Sequence, residues 1–108
     1  MQRFGEVIKV KPEQLEEYKR LHDNIWPSMV NLLKEAKLQN FTIFYRDGYL
    51  FKYFEYVGED YEADMKKLAE NEINARWLSF TDACQEPIDS VGEGVWWAPM
   101  EKVFHILG

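Results

Sequence analysis

Cysteine occurs once in these 108 residues, at Cys84, so no disulfide can form within the chain. Its neighbours Asp82, Ala83, Gln85 and Glu86 supply no cation to stabilise a thiolate, which argues for a small interior residue and against a nucleophile. Histidine occurs only twice, at His22 and His105, with no HxH, HxxxH or Cys/His pattern. Zinc and iron sites draw three or four ligands from such patterns, so no metal is expected. No apolar run has the length that crosses a bilayer, and MQRFGEVIKVKPEQ lacks the apolar centre of a secretory signal. A cytoplasmic protein that does not engage membranes is therefore expected. Basic residues are outnumbered 13 to 19, for a net charge of −6, and without a basic stripe nucleic acid is not an expected partner. A Gly-rich phosphate loop, a GxSxG elbow and a recognisable Ser/His/Asp set are also missing. An enzyme with these residues is expected to work without a cofactor, by proton transfer.

Aromatic residues, by contrast, are abundant, with four Trp, six Tyr and seven Phe. The hydrophobic fraction of 46% suits an ordinary globular chain, and without repeats or a linker-like stretch, residues 1–108 read as one domain. Phe4–Val10 alternates like a strand. Pro12 suits the first position of a helix, which is expected to run to about Lys37 with a kink at Trp26-Pro27. Phe41–Arg46 and Tyr49–Val57 flank Asp47-Gly48, a strong hairpin signal. Asp60 is a candidate N-cap for a second helical region over Tyr61–Cys84, divisible around Glu70–Glu72. A longer connection, Glu86–Pro99, leads to a last strand over Met100–Leu107. The order β-α-β-β-α-β specifies an α+β, ferredoxin-like arrangement. Tyr49, Phe51, Tyr53 and Val57 fall on one face of the third strand and Leu50, Phe54 and Tyr56 on the other. Helices cover only one face of such a sheet, so the second apolar face is expected to meet another copy in a homodimer.

The run EEYKRLHDNIWP, from Glu16, contains one residue that does not fit a plain amphipathic helix. Leu15, Tyr18, Ile25, Met29 and Leu32 mark a buried stripe at helical spacing, and His22 falls on it. One reading is a neutral core histidine hydrogen-bonded to a carbonyl or hydroxyl. The other is that the stripe lines a pocket, where an imidazole can exchange a proton near neutral pH. Tyr18 and His22, four residues apart, project from the same side of the helix. Glu16 and Glu17 are expected on the outer face, pairing with Lys19 and Arg20. His105, in the last strand, reads as an interface or solvent residue.

The pattern Y-x-x-x-H-x-x-x-W-P in that run, the Arg76-Trp77 pair and the terminal EKVFHI resemble the L-rhamnose mutarotase family over nearly the whole chain. The resemblance implies two ferredoxin-like protomers forming a dimeric α/β-barrel. It also implies interconversion of the α and β anomers of a 6-deoxy sugar, a monosaccharide substrate. Carried over by position, His22 is implied as the proton donor and Tyr18 as a sugar-contacting hydroxyl. Trp77 matches one of two adjacent family tryptophans, with Leu78 in place of the other, and Phe41 stands where the family has a tyrosine. Arg76 and Trp96 complete the candidate binding set, Trp96 with Trp97 restoring aromatic surface lost at Leu78. The second proton-transfer group stays open among Glu6, Glu101 and water. Two other classes stay open as well, namely a cofactor-free monooxygenase of the same architecture and a non-catalytic sugar-binding module.

Overall fold

The computed structural model describes residues 1–108. Its strands are β1 (Gln2–Val10), β2 (Leu38–Arg46), β3 (Tyr49–Tyr56), β4 (Gln85–Glu86) and β5 (Ala98–Met100), and its helices α1 (Leu15–Asp23), α2 (Pro27–Glu35), α3 (Tyr61–Ala69) and α4 (Glu72–Asp82). The sheet runs β2-β3-β1-β4, with β5 also on β1, and every pairing is antiparallel. This is the expected ferredoxin-like order, with helices on one side. No helix is long and apolar enough to cross a membrane.

Local chemistry explains most of the boundaries. Asp47 and Gly48 join β2 to β3 with φ of 50° and 89°, the two positive values that a primed two-residue hairpin turn demands. Asp60 caps α3 by accepting a hydrogen bond from the Ala63 N–H, and Asn71 caps α4 through the N–H groups of Ile73 and Asn74. Side chains alternate across the strands. Ile8, Val10, Leu50 and Phe54 face the helices and are buried with Tyr18, Leu21, Met29, Trp77 and Cys84. Leu15, Ile25 and Leu32 pack partly buried against the same cluster. The stripe read from the first helix is therefore the one that enters the interior, and Glu16 and Glu17 pair on its outer side with Lys19 and Arg20.

Two expectations about elements need correction. The first helical region is not one kinked helix. After a 3-10 turn at Pro12–Gln14, α1 ends at Asp23 and α2 begins at Pro27. Proline pushes the residue before it into extended conformation, and Trp26 is extended, at φ −66° and ψ 134°. Pro27 therefore opens a new helix. The last strand is also much shorter than Met100–Leu107. Only Ala98–Met100 pairs, opposite Gly5–Val7, and Val103, Phe104, Ile106 and Leu107 are at least 74% exposed. β-branched and aromatic residues favour a strand only when a neighbouring strand accepts them, and from Glu101 onward this chain supplies none.

Candidate active site

The helix-facing side of the sheet does not close completely against α1 and α4. Between them lies a cavity of about 760 Å³, within the range of small-molecule sites. α1 contributes Tyr18 and His22, α4 contributes Asn74 and Trp77, and the sheet contributes Glu6, Phe41, Lys52, Phe54 and Gln85, with Trp97 entering from the long connection.

His22 shows both the carbonyl partner that the core reading expects and the cavity border that the pocket reading expects. Its Nδ1 lies 2.9 Å from the Tyr18 carbonyl oxygen. A carbonyl only accepts, so Nδ1 carries a hydrogen and Nε2 is the nitrogen free to gain or lose one. The ring packs against Tyr18 at 4.4 Å and edge-on to Trp77 at 5.3 Å between centroids, and Trp77 is held in turn by Trp26 at 5.4 Å. Aromatic rings fix the imidazole, and the cavity reaches it.

Tyr18 is almost fully buried. Its hydroxyl accepts a hydrogen bond from Gln85 Nε2 at 3.1 Å, and Gln85 Oε1 accepts one from Trp96 Nε1 at 2.8 Å. Burial pushes the Tyr18 phenol well up, only partly offset by Gln85. It therefore stays protonated and can act as a hydrogen-bonding group, not as a base. Phe41 reaches the cavity because β2 carries a bulge between Gln39 and Thr42, with Asn40 at φ 50°. Two residues there oppose one on β3, and Phe41 stacks on Phe54 at 5.6 Å.

The structure thus brings Tyr18, His22, Phe41 and Trp77 to one cavity and leaves two candidates outside it. Arg76 is exposed on α4 and borders a separate surface hollow with Trp26, Ser28 and Glu72. One step along a helix turns a side chain by about 100°, and at this point the turn carries Arg76 away from the cavity that Trp77 lines. Trp96 does not line the cavity either. It supports Tyr18 through Gln85, and its neighbour Trp97 supplies the ring face. His105 and Glu101 lie beyond β5 on the exposed tail, outside the lining. Lys52, Asn74 and Gln85 were missed as lining residues, and Glu6, considered only as a proton acceptor, also lines the cavity. Helical spacing from Trp77 back to Asn74 and strand alternation from Ile8 to Glu6 were the available signals.

A family model described as L-rhamnose mutarotase matches residues 3–106. The chain belongs to the L-rhamnose mutarotase family. Curated relatives of that name include one from Oceanobacillus iheyensis, 36% identical over 80 residues, or 74% of this chain and 76% of the relative. Another, from Mesorhizobium japonicum, is 28% identical over 106 residues and covers 97% of both chains. Among solved structures, an L-rhamnose mutarotase from Formosa agariphila superposes with a TM-score of 0.78 at 25% identity, covering 99% of this chain and 100% of the other. Tetracenomycin F2 cyclase from Streptomyces glaucescens, at TM-score 0.71 and 13% identity over 100% of this chain and 98% of that one, shares the fold. Membership of the mutarotase family favours the isomerase reading over the monooxygenase alternative.

Proposed function

We propose that this chain is a cytoplasmic, cofactor-free isomerase that interconverts the α and β anomers of L-rhamnose or a related 6-deoxy sugar, with His22 as its acid–base group. The observation that carries this reading is His22 itself, whose Nδ1 is anchored on the Tyr18 carbonyl while its ring borders a cavity with ample room for a monosaccharide. As imidazolium, His22 donates its Nε2 proton to the ring oxygen as the bond from that oxygen to the anomeric carbon breaks. A base removes the proton of the anomeric hydroxyl, leaving an open-chain aldehyde. Rotation about the bond from the anomeric carbon to its neighbour, followed by the reverse transfers, closes the other anomer. Of the acceptors considered for the second proton, Glu6 lines the cavity and Glu101 does not, which leaves Glu6 and water. Trp77, Trp97 and Phe41 offer flat apolar surface to the C–H face and methyl group of a deoxy sugar.

Exchange between anomer signals in saturation-transfer NMR tests this role. His22→Ala is expected to fold and to lose a factor of about 10²–10⁴ in enzymatic exchange, the usual contribution of one general acid–base group. Full exchange by a destabilised variant is instead what a structural core histidine predicts, and that result would overturn the assignment. The same reading includes a homodimer joined through the outer face of the sheet. Phe44 and Tyr49 stand exposed there and Phe51 and Tyr53 half-buried, in a continuous apolar surface of the kind that marks an association site.

A further inference from the structure

Glu6 and Lys52 are cross-strand neighbours on β1 and β3, on the side of the sheet that faces the helices. Lys52 Nζ lies 2.8 Å from Glu6 Oε1, with the two side chains 14% and 22% exposed. The next inward pair along the same strands is Ile8 and Leu50, both fully buried. A carboxylate and an ammonium thus interrupt a row of core residues at the point where both border the cavity.

Stability alone does not account for them. Sequestered ion pairs lose hydration that their mutual attraction rarely returns in full, and apolar residues of the same size usually serve a core as well or better. Burial accordingly draws the Lys52 ammonium below its ordinary range, against the pull of Glu6. The ammonium also sits 4.2 Å from the centroid of Trp97 and 5.6–5.7 Å from those of Phe54 and Phe41, so three ring faces hold it in place. An ammonium has three N–H donors and a carboxylate four acceptor positions. Their mutual contact uses one of each, and no buried side-chain nitrogen or oxygen lacks a partner. The second Glu6 oxygen, which has no protein partner, is therefore not sealed from the cavity, and Lys52 keeps two further donors beside it.

We propose that the Glu6–Lys52 pair is a hydroxyl-reading subsite, Lys52 donating to one sugar hydroxyl and Glu6 accepting from its neighbour. The inference rests on the sugar-site reading of the cavity and deepens it, because it names the substrate feature that is read, a pair of adjacent ring hydroxyls. The pair rises from the sheet while His22 hangs from α1, so a monosaccharide between the two layers meets its acid–base group on one side and its hydroxyl reader on the other. Phe41 and Trp97, which hold the ammonium, also present their faces to the ring.

Binding and exchange are measured separately on L-rhamnose and on its 2-, 3- and 4-deoxy analogues, with dissociation constants from tryptophan fluorescence and rates from saturation transfer. For wild-type protein, the two analogues that lack one or other of an adjacent pair of hydroxyls are expected to bind about 10–100-fold more weakly than L-rhamnose, the scale of a charge-assisted hydrogen bond. Lys52→Met is expected to weaken L-rhamnose by a similar factor, mainly in KM, and to erase discrimination at the hydroxyl to which Lys52 donates. In the binding measurement, Glu6→Gln, which preserves shape and one acceptor, is expected to lose discrimination at one hydroxyl only. An unchanged KM in Lys52→Met, or wild-type binding that is indifferent to which hydroxyl is missing, overturns the subsite. Wild-type protein that binds L-rhamnose without exchanging its anomers refutes the catalytic reading while the binding comparison still decides the subsite. Wild-type protein that binds no monosaccharide refutes both.

Discussion

Gln85→Leu isolates the support beneath Tyr18. Gln85 is 2% exposed, and its amide bridges the Tyr18 hydroxyl at 3.1 Å and the Trp96 indole N–H at 2.8 Å. Leucine approximates its size but ends both hydrogen bonds. The Trp96 N–H belongs to a residue more than a third exposed and can find water, whereas the Tyr18 oxygen keeps only what the cavity offers. Leaving a buried polar group without its partner costs about 1–3 kcal/mol, and a value of about 2 kcal/mol suits this mixed case. For a domain of this size that lowers Tm by about 8–16 °C, a shift readily measured by calorimetry or far-UV circular dichroism. Trp96→Phe, which removes only the outer bond, is expected to cost less than about 1 kcal/mol. The two substitutions share one network and are therefore expected to combine less than additively. KM for the sugar rises in Gln85→Leu, because Tyr18 loses the contact that fixes its hydroxyl. A Tm within about 2 °C of wild type, which corresponds to well under 1 kcal/mol, together with an unchanged KM, would refute the bridge as a support.

The acid limb of stability tests Glu55, which accepts from Gln39 and Asn40 at 2.8 Å and from Tyr53 at 2.6 Å. These donors, led by Tyr53, hold its carboxyl at about 2, against an ordinary 4.5. A lowered folded-state value stabilises the fold above the unfolded one, and that contribution disappears as pH falls from about 4.5 towards 2. Wild-type Tm is therefore expected to drop more steeply across that window than Glu55→Gln, and superimposable curves would contradict the assignment. Association is tested by sedimentation equilibrium at micromolar concentration, where wild type is expected as a dimer and Phe44→Glu as a folded monomer. Phe44 is 63% exposed in the single chain, so the charge disturbs little but an interface, and a monomeric wild type would remove the dimer.

The sequence made visible those features that local chemistry dictates. Asp47-Gly48 has to turn, Asp60 has to cap, and the spacing from Tyr18 to Met29 can bury only one face; each is found as expected. The misjudged features depend on distant neighbours. Whether Pro27 kinks a helix or begins one depends on whether the chain beyond Trp26 packs better after a change of direction. Whether Val103 to Leu107 forms a strand depends on an available edge. Arg76 and Trp77 arrived together as a pair within one motif, but a helix separates adjacent side chains, and only Trp77 shares the inward spacing of Asn74 and Thr81. Trp96 and Trp97 sit in an irregular connection, which offers no period by which to choose between them. That Glu6 meets Lys52 depends on the register of β1 against β3, a pairing between residues 46 positions apart that no local pattern encodes.

That register also separates the two proposed tasks along a single strand. In β3, Leu50, Lys52, Phe54 and Tyr56 face the helices, while Tyr49, Phe51, Tyr53 and Glu55 face away. The proposed sugar reading at Lys52 and the proposed self-association at Phe51 therefore occupy adjacent residues that point in opposite directions. The bulge at Asn40 preserves this partition on β2, turning Phe41 inward to stack on Phe54 while Gln39 and Thr42 stay opposite the outward Glu55 and Tyr53. A residue on one face can change size or charge without entering the other, as long as the strand keeps its register. A one-residue slip would place the lysine on the outer apolar face and a phenylalanine in the lining of the cavity. The hairpin turn and the bulge fix that register, and substitutions there are the ones that couple the two faces.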